Sequence, residues 1–131
     1  MKSNSRVSAR AVREIYMKAF EIIIERSKPY SIMTSYNHIN GIKVSENPLF
    51  TVDILRDDFG FDGMLMSDFS NDSVHTKELL AKHDLKMNYG DPRTVVKDMK
   101  EGTLPRENVR ACVKKVLEFI IKTVCVNSEV K

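Results

Sequence analysis

Tryptophan is absent from the 131 residues, cysteine occurs only twice, and no run of five or more like charges interrupts the chain. Each shortage closes off a class of function. Without Trp, and with six Phe and four Tyr, any aromatic stacking platform made by this chain alone is small. The 21 basic and 18 acidic residues leave a formal net charge of +3. They are spread over several helical stretches, which describes solvated helix faces rather than a nucleic-acid patch. Cys112 and Cys125 fall on one expected helix, where 13 residues separate them by about 20 Å, too far to bridge. They read as reduced, mostly structural thiols of a cytoplasmic protein. No Cys/His pair has zinc-site spacing, so neither a metal nor another cofactor is expected. Met1 to Ala11 is polar and basic and lacks the apolar core of a secretion signal. The longest apolar runs, such as Ile22-Ile23-Ile24, are far too short to span a membrane.

What is present is enough apolar sequence, 42%, to bury a core in one domain spanning 1–131. Gly63-Met64-Leu65-Met66-Ser67-Asp68-Phe69 is a short apolar run between the turn-forming Phe61-Asp62-Gly63 and the polar Ser70 to Ser73, which predicts a buried parallel strand. Tyr30 to Tyr36 predicts another strand, followed by a loop over Asn37 to Gly41, and Asp84 to Met87 a third, short one. Helices are predicted from Ser8, as N-cap, to Arg26; from Asn47-Pro48 to Gly60; over Ser73 to Lys82; and from Asp91-Pro92 to Lys100. In the first, Val12, Ile15, Tyr16, Ala19, Phe20 and Ile23 form the apolar face. A long last helix carries a core stripe of Val109, Cys112, Val113, Val116, Leu117, Ile120 and Ile121, ahead of a frayed tail over 127–131. Alternation of helix and strand in this order predicts an α/β fold with a parallel sheet of about three strands and flanking helices.

An acidic residue at the C-terminal end of a parallel strand lies where α/β folds place reactive groups. Asp68 occupies that place, although it would equally serve as a cap, through Ser70 to Ser73, for the helix that follows. Met33 on a strand reads as core, and Tyr36 as a strand-end aromatic. His38, His75 and His83 read as surface residues, and Glu46 and Asp58 as helix-end charges.

Together, Ser8-Ala9-Arg10-Ala11-Val12-Arg13-Glu14-Ile15-Tyr16, Ile32-Met33-Thr34-Ser35-Tyr36-Asn37 with Asn40-Gly41, Ser45-Glu46-Asn47-Pro48, Asp53-Ile54-Leu55-Arg56, Phe59 to Gly63 and Met66-Ser67-Asp68 resemble glycoside hydrolase family 3, which includes β-glucosidases and β-xylosidases. The resemblance covers nearly the whole chain, weakening after Phe69 and resuming at Asp84-Leu85-Lys86-Met87 and in the last two helices. It implies part of a (β/α)8, TIM-like barrel and retaining hydrolysis of a β-glycoside or oligosaccharide, with Asp68 as nucleophile. It also implies sugar contacts from Met33, Tyr36 and Phe69, where Phe69 stands for the family's Trp. Lys86-Met87-Asn88-Tyr89 stands where the family has an acidic residue followed by Met-Pro. The family's general acid is a Glu from a second domain, and earlier barrel strands supply further sugar-binding residues. The chain is therefore expected to be a truncated segment with little hydrolysis alone. The alternatives are half of a split enzyme, whose missing barrel half or acid-bearing domain comes from another chain, or a non-catalytic sugar-binding or scaffold remnant.

Overall fold

The computed structural model describes residues 3–88 and 90–128, with side-chain surroundings through Val124. Its centre is a parallel pair, β2 (Ser31–Thr34) and β5 (Met64–Ser67), in the register Ser31↔Met64, Ile32↔Leu65, Met33↔Met66 and Thr34↔Ser67. The expected third strand contracts to one parallel bridge, Met66↔Leu85. Ser67 N–H donates to the Leu85 carbonyl (3.0 Å), and the N–H groups of Asp84 and Leu85 converge on the Leu65 carbonyl (3.1 and 3.0 Å). The expected three parallel strands are thus two strands and a bridge. Lys86 turns its side chain into a buried polar cluster, and the Met87 N–H leaves the ladder for the Ser67 hydroxyl (2.9 Å).

A second, three-stranded sheet lies outside the strands expected from the sequence. β1 (Asn4–Ser5) runs parallel to β3 (His38–Ile39), which forms a hairpin with β4 (Ile42–Lys43). The stretch expected as a loop is therefore a two-residue turn at Asn40-Gly41, both at positive φ (52° and 88°). This is the residue pair that such hairpins favour. Asn40 also pins the N-terminal segment, exchanging side-chain hydrogen bonds with the Val7 N–H (2.9 Å) and carbonyl (2.8 Å).

The first helix begins as expected, with the Ser8 hydroxyl accepting from the Ala11 N–H (3.2 Å). It is not continuous, however. α1 (Ala9–Ala11) passes into a π-helical turn over Val12–Tyr16, closed by Met17 N–H to the Val12 carbonyl (2.8 Å), before α2 (Lys18–Ser27). The wider turn rotates the faces relative to a 3.6-residue repeat. Val12 and Ile24 are buried, whereas Ile15, Tyr16, Phe20 and Ile23, all expected on the core side, are exposed. Asn47 and Pro48 open the next helix as expected, the Asn47 side chain accepting from the Leu49 N–H (3.1 Å). This helix, Leu49–Asp58, is also π-helical, and Gly60 at φ 69° ends it.

The remaining helices are α3 (His75–Leu80), α4 (Pro92–Glu101) and α5 (Arg106–Ser128). Asp91 caps α4 through the Thr94 N–H (3.0 Å), and Gly102 closes it in the left-handed region. α3 and α4 pack with α5 around Leu79, Val95, Leu104 and Cys112. Of the stripe expected on α5, Cys112 is buried and Val109 and Val116 half-buried, but Val113, Leu117, Ile120 and Ile121 face outward. Residues 129–131 of the expected tail, and the side chain of Cys125, lie outside the described residues. No helix among the described residues is long and apolar enough to cross a membrane.

Ile24, Leu55, Phe61 and Leu65, with Ile32 against them, form a second apolar cluster that holds the parallel pair, while Val12, Phe50 and Ile54 form a third that joins the first helical turns to the π-helix. Gly63 sets the entry to β5 in this packing. A Cβ there would stand 2.6 Å from both the Tyr30 carbonyl oxygen and the Phe61 ring. Gly63→Ala is therefore expected to lower stability by about 1–3 kcal/mol through overpacking against backbone, read as a lower urea midpoint. An unchanged midpoint would remove this role.

Candidate active site

The C-terminal ends of β2 and β5 meet at Asp68. Its N–H donates to the Thr34 carbonyl (3.1 Å), which ties the residue after β5 to the last residue of β2. Its carbonyl accepts from the Asn71 N–H (3.2 Å) and from the Ser67 hydroxyl (3.0 Å). One carboxylate oxygen, Oδ1, accepts from the Ser70 N–H (2.9 Å). The helix-capping role is not realised: α3 begins only at His75, after Val74, and this oxygen closes a local turn onto Ser70 instead. The other oxygen, Oδ2, carries no hydrogen bond among the described residues. Asp68 is half-buried.

The sugar-contact candidates lie on or just after the same two strands. Met33 lies on β2 beside Met66, Tyr36 follows two residues after β2, and Phe69 follows Asp68 directly; all three are exposed. Met33 is therefore not core. A backbone N–H, not a neighbouring hydroxyl, holds the Asp68 carboxylate. Ser67 is buried and spends its hydroxyl on the Asp68 carbonyl and the Met87 N–H.

Behind Asp68 lies a buried polar cluster. Glu78 and Lys86, with side chains 1% and 2% exposed, form an ion pair at 3.3 Å. Glu78 Oε1 accepts from the Asn71 amide (3.0 Å) and from the Ser73 hydroxyl, and the Asn71 amide also donates to the Ser45 hydroxyl (2.9 Å). Lys86, set between the apolar Leu85 and Met87, requires a counter-charge once buried, and Glu78 supplies it. Glu46, expected as a helix-end charge, instead accepts from the Val74 N–H across the chain (2.7 Å).

His83, expected at the surface, is 1% exposed. Its Nε2 lies 2.8 Å from the Thr34 hydroxyl, and burial pushes its pKa down to about 4. Next to it, Asp84 bridges the Leu65 N–H (2.8 Å) and the Arg56 guanidinium (2.7 Å). Burial nevertheless holds the Asp84 pKa above the ordinary carboxylate value. Burial pushes the Cys112 thiol up to about 12, leaving it without nucleophilic character. Among the described residues, no group of three His, Cys, Asp or Glu side chains could hold a metal ion.

Residues 3–119 match the glycosyl hydrolase family 3 N-terminal domain. An exo-α-(1→6)-L-arabinopyranosidase from Bifidobacterium longum is 35% identical over 94% of this chain and 16% of its own length. Beta-glucosidase A from Butyrivibrio fibrisolvens is 40% identical over 82% of this chain and 13% of its own length. The crystal structure of the family 3 β-glucosidase of Bifidobacterium adolescentis superposes with a TM-score of 0.87 at 32% identity, covering 95% of this chain and 18% of that one. The chain thus spans less than a fifth of the length of these relatives. With the family model matching residues 3–119 of the 131, the chain belongs to glycosyl hydrolase family 3.

Proposed function

We propose that these residues form the nucleophile-bearing part of a retaining β-glycosidase of the β-glucosidase type, within a (β/α)8 barrel whose other strands and general acid lie outside the 131 residues. The observation that carries this reading is Asp68 at the carboxyl end of the parallel pair. Its Oδ1 is held by a backbone N–H, and Met33, Tyr36 and Phe69, on or just after the same two strands, are exposed. A retaining glycosidase needs an ionised carboxylate beneath the anomeric carbon and a separate acid about 5–5.5 Å away. One oxygen anchored and one open suits the first role, and exposed aromatic faces suit a sugar. The acid belongs to the same functional unit, so these residues alone should turn over ordinary glycosides slowly.

The test uses a substrate that does not need the acid. A dinitrophenyl β-glucoside has a leaving group that departs without a proton, so its cleavage reports on the nucleophile. The purified chain is expected to release dinitrophenol above a no-protein blank, and Asp68→Asn to return the rate to that blank. Equal rates for the two proteins would eliminate Asp68 as nucleophile. The corresponding α-L-arabinopyranoside, run beside it, decides between the sugar classes named for the relatives.

A further inference from the structure

Resting on the assignment of Asp68 as nucleophile, we infer that the buried Lys86–Glu78 pair is a positioning device, which fixes the loop from Asp68 to Val74 and so aims the Asp68 carboxylate. Lys86 Nζ donates to the carbonyls of Asn71 (3.2 Å) and Ser73 (2.9 Å) and to the Ser73 hydroxyl (2.7 Å). Its charge is met by Glu78 Oε2 at 3.3 Å. Glu78 holds the same two loop residues from the other side, through the Asn71 amide and the Ser73 hydroxyl. The Asn71 side chain closes the loop internally by accepting from the Ser73 N–H (3.1 Å).

This clamp reaches Asp68 by two routes. On the loop side, the Asn71 N–H bonds the Asp68 carbonyl (3.2 Å), and the intervening Ser70 N–H is the donor to Oδ1 (2.9 Å). On the strand side, Met87, the residue after Lys86, donates its N–H to the Ser67 hydroxyl, which in turn donates to the Asp68 carbonyl. A single segment, Lys86-Met87, thereby grips both the residue before Asp68 and the loop after it. Neither Lys86 nor Glu78 has a hydrogen bond or ion pair to the Asp68 carboxylate among the described residues. Their effect passes through backbone.

A buried ion pair need not add stability over an apolar pair of similar volume. This separates positioning from folding. In the paired variant Glu78→Leu with Lys86→Met the chain is expected to stay folded, with a cooperative melt, while the Ser70 and Asn71 N–H groups lose protection from hydrogen exchange. Trapping by a dinitrophenyl 2-deoxy-2-fluoro-β-glucoside, followed by mass spectrometry of the Asp68 peptide, should fall about 100-fold in its first-order rate constant. Such a loss is typical of a misplacement near 1 Å. Half-saturation by the reagent should stay within about twofold. A folded paired variant that is trapped at the wild-type rate, or whose Ser70 and Asn71 amides stay protected, overturns the inference alone. A wild-type chain that is never labelled at Asp68 overturns the nucleophile assignment, and this inference with it.

Discussion

Leu65→Ala is expected to destabilise the chain by about 3–5 kcal/mol, the upper range for truncating a buried leucine where the surroundings cannot close the cavity. Leu65 is fully buried at the middle of β5 and packs with Ile24, Leu55 and Phe61. Collapse into the space is opposed from several sides. Its backbone is locked opposite Ile32, and its carbonyl accepts from both Asp84 and Leu85. Its N–H is held by the Asp84 carboxylate, itself fixed by Arg56. Domains of this size are stabilised by only about 5–15 kcal/mol in all. Several large apolar side chains, among them Ile15, Tyr16, Leu117 and Ile121, remain exposed. The loss should therefore take a large part of the total. Urea unfolding followed by circular dichroism measures it: a midpoint falling by half or more is expected, and a change under about 1 kcal/mol would show that the site relaxes. Val96→Ala, at an exposed position on α4, should stay within about 0.5 kcal/mol under the same conditions.

The parallel pair was legible because its signals are local. A four-residue apolar run bounded by Gly63 and Asp68, and a strand set off by Pro29, need no tertiary information. The same holds for the helix starts at Ser8, Asn47 and Asp91. The departures come from effects that a fixed periodicity cannot carry. One i→i+5 bond at Met17 turns Ile15, Tyr16, Phe20 and Ile23 out of the core that a 3.6-residue repeat assigns them. On α5 the expected stripe is only partly covered: Cys112 packs with Leu79, Val95 and Leu104, Val109 and Val116 are half-buried, and Val113, Leu117, Ile120 and Ile121 stay exposed. Periodicity marks an apolar stripe and does not say how much of it is covered. The Asn40-Gly41 hairpin carried a clear turn signal, but its two-residue strands are shorter than any alternation pattern reveals. Asp68 was legible as a strand-end carboxylate. Its supports at Asn71, Glu78 and Lys86 were not, because they are 7 to 15 residues apart in sequence from their partners and meet only once the loop is folded.

His83 makes stability depend on pH in a calculable direction. Its imidazole is buried, with Nε2 at the Thr34 hydroxyl, while Nδ1 is buried and has no partner among the described residues. Protonation would place a second N–H where nothing accepts it. Burial accordingly lowers the pKa from 6.5 to about 4, against the attraction of Glu78 and with help from Lys86 and Arg56. The unfolded chain takes up the proton near pH 6.5 and the folded chain only near pH 4, so acidification through this window favours unfolding. The stability linked to His83 is fully present above pH 6.5 and is lost as pH falls to about 4. At about 1.4 kcal/mol per pH unit this amounts to about 3 kcal/mol. His75, lowered by burial, and Asp62 and Asp91, lowered by hydrogen bonds from Lys115 and Thr94, act in the same direction. Asp84 acts in the opposite one, because its raised pKa lets the folded chain take up a proton before the unfolded chain does. A comparison within one position isolates the histidine. His83→Gln keeps an amide that can bond Thr34 and has no proton to gain. Urea midpoints at pH 7.5 and pH 4 should then differ by about 3 kcal/mol less in the variant than in the parent chain. Equal differences in the two proteins would mean that His83 titrates normally in the folded chain, and that its nitrogens reach water.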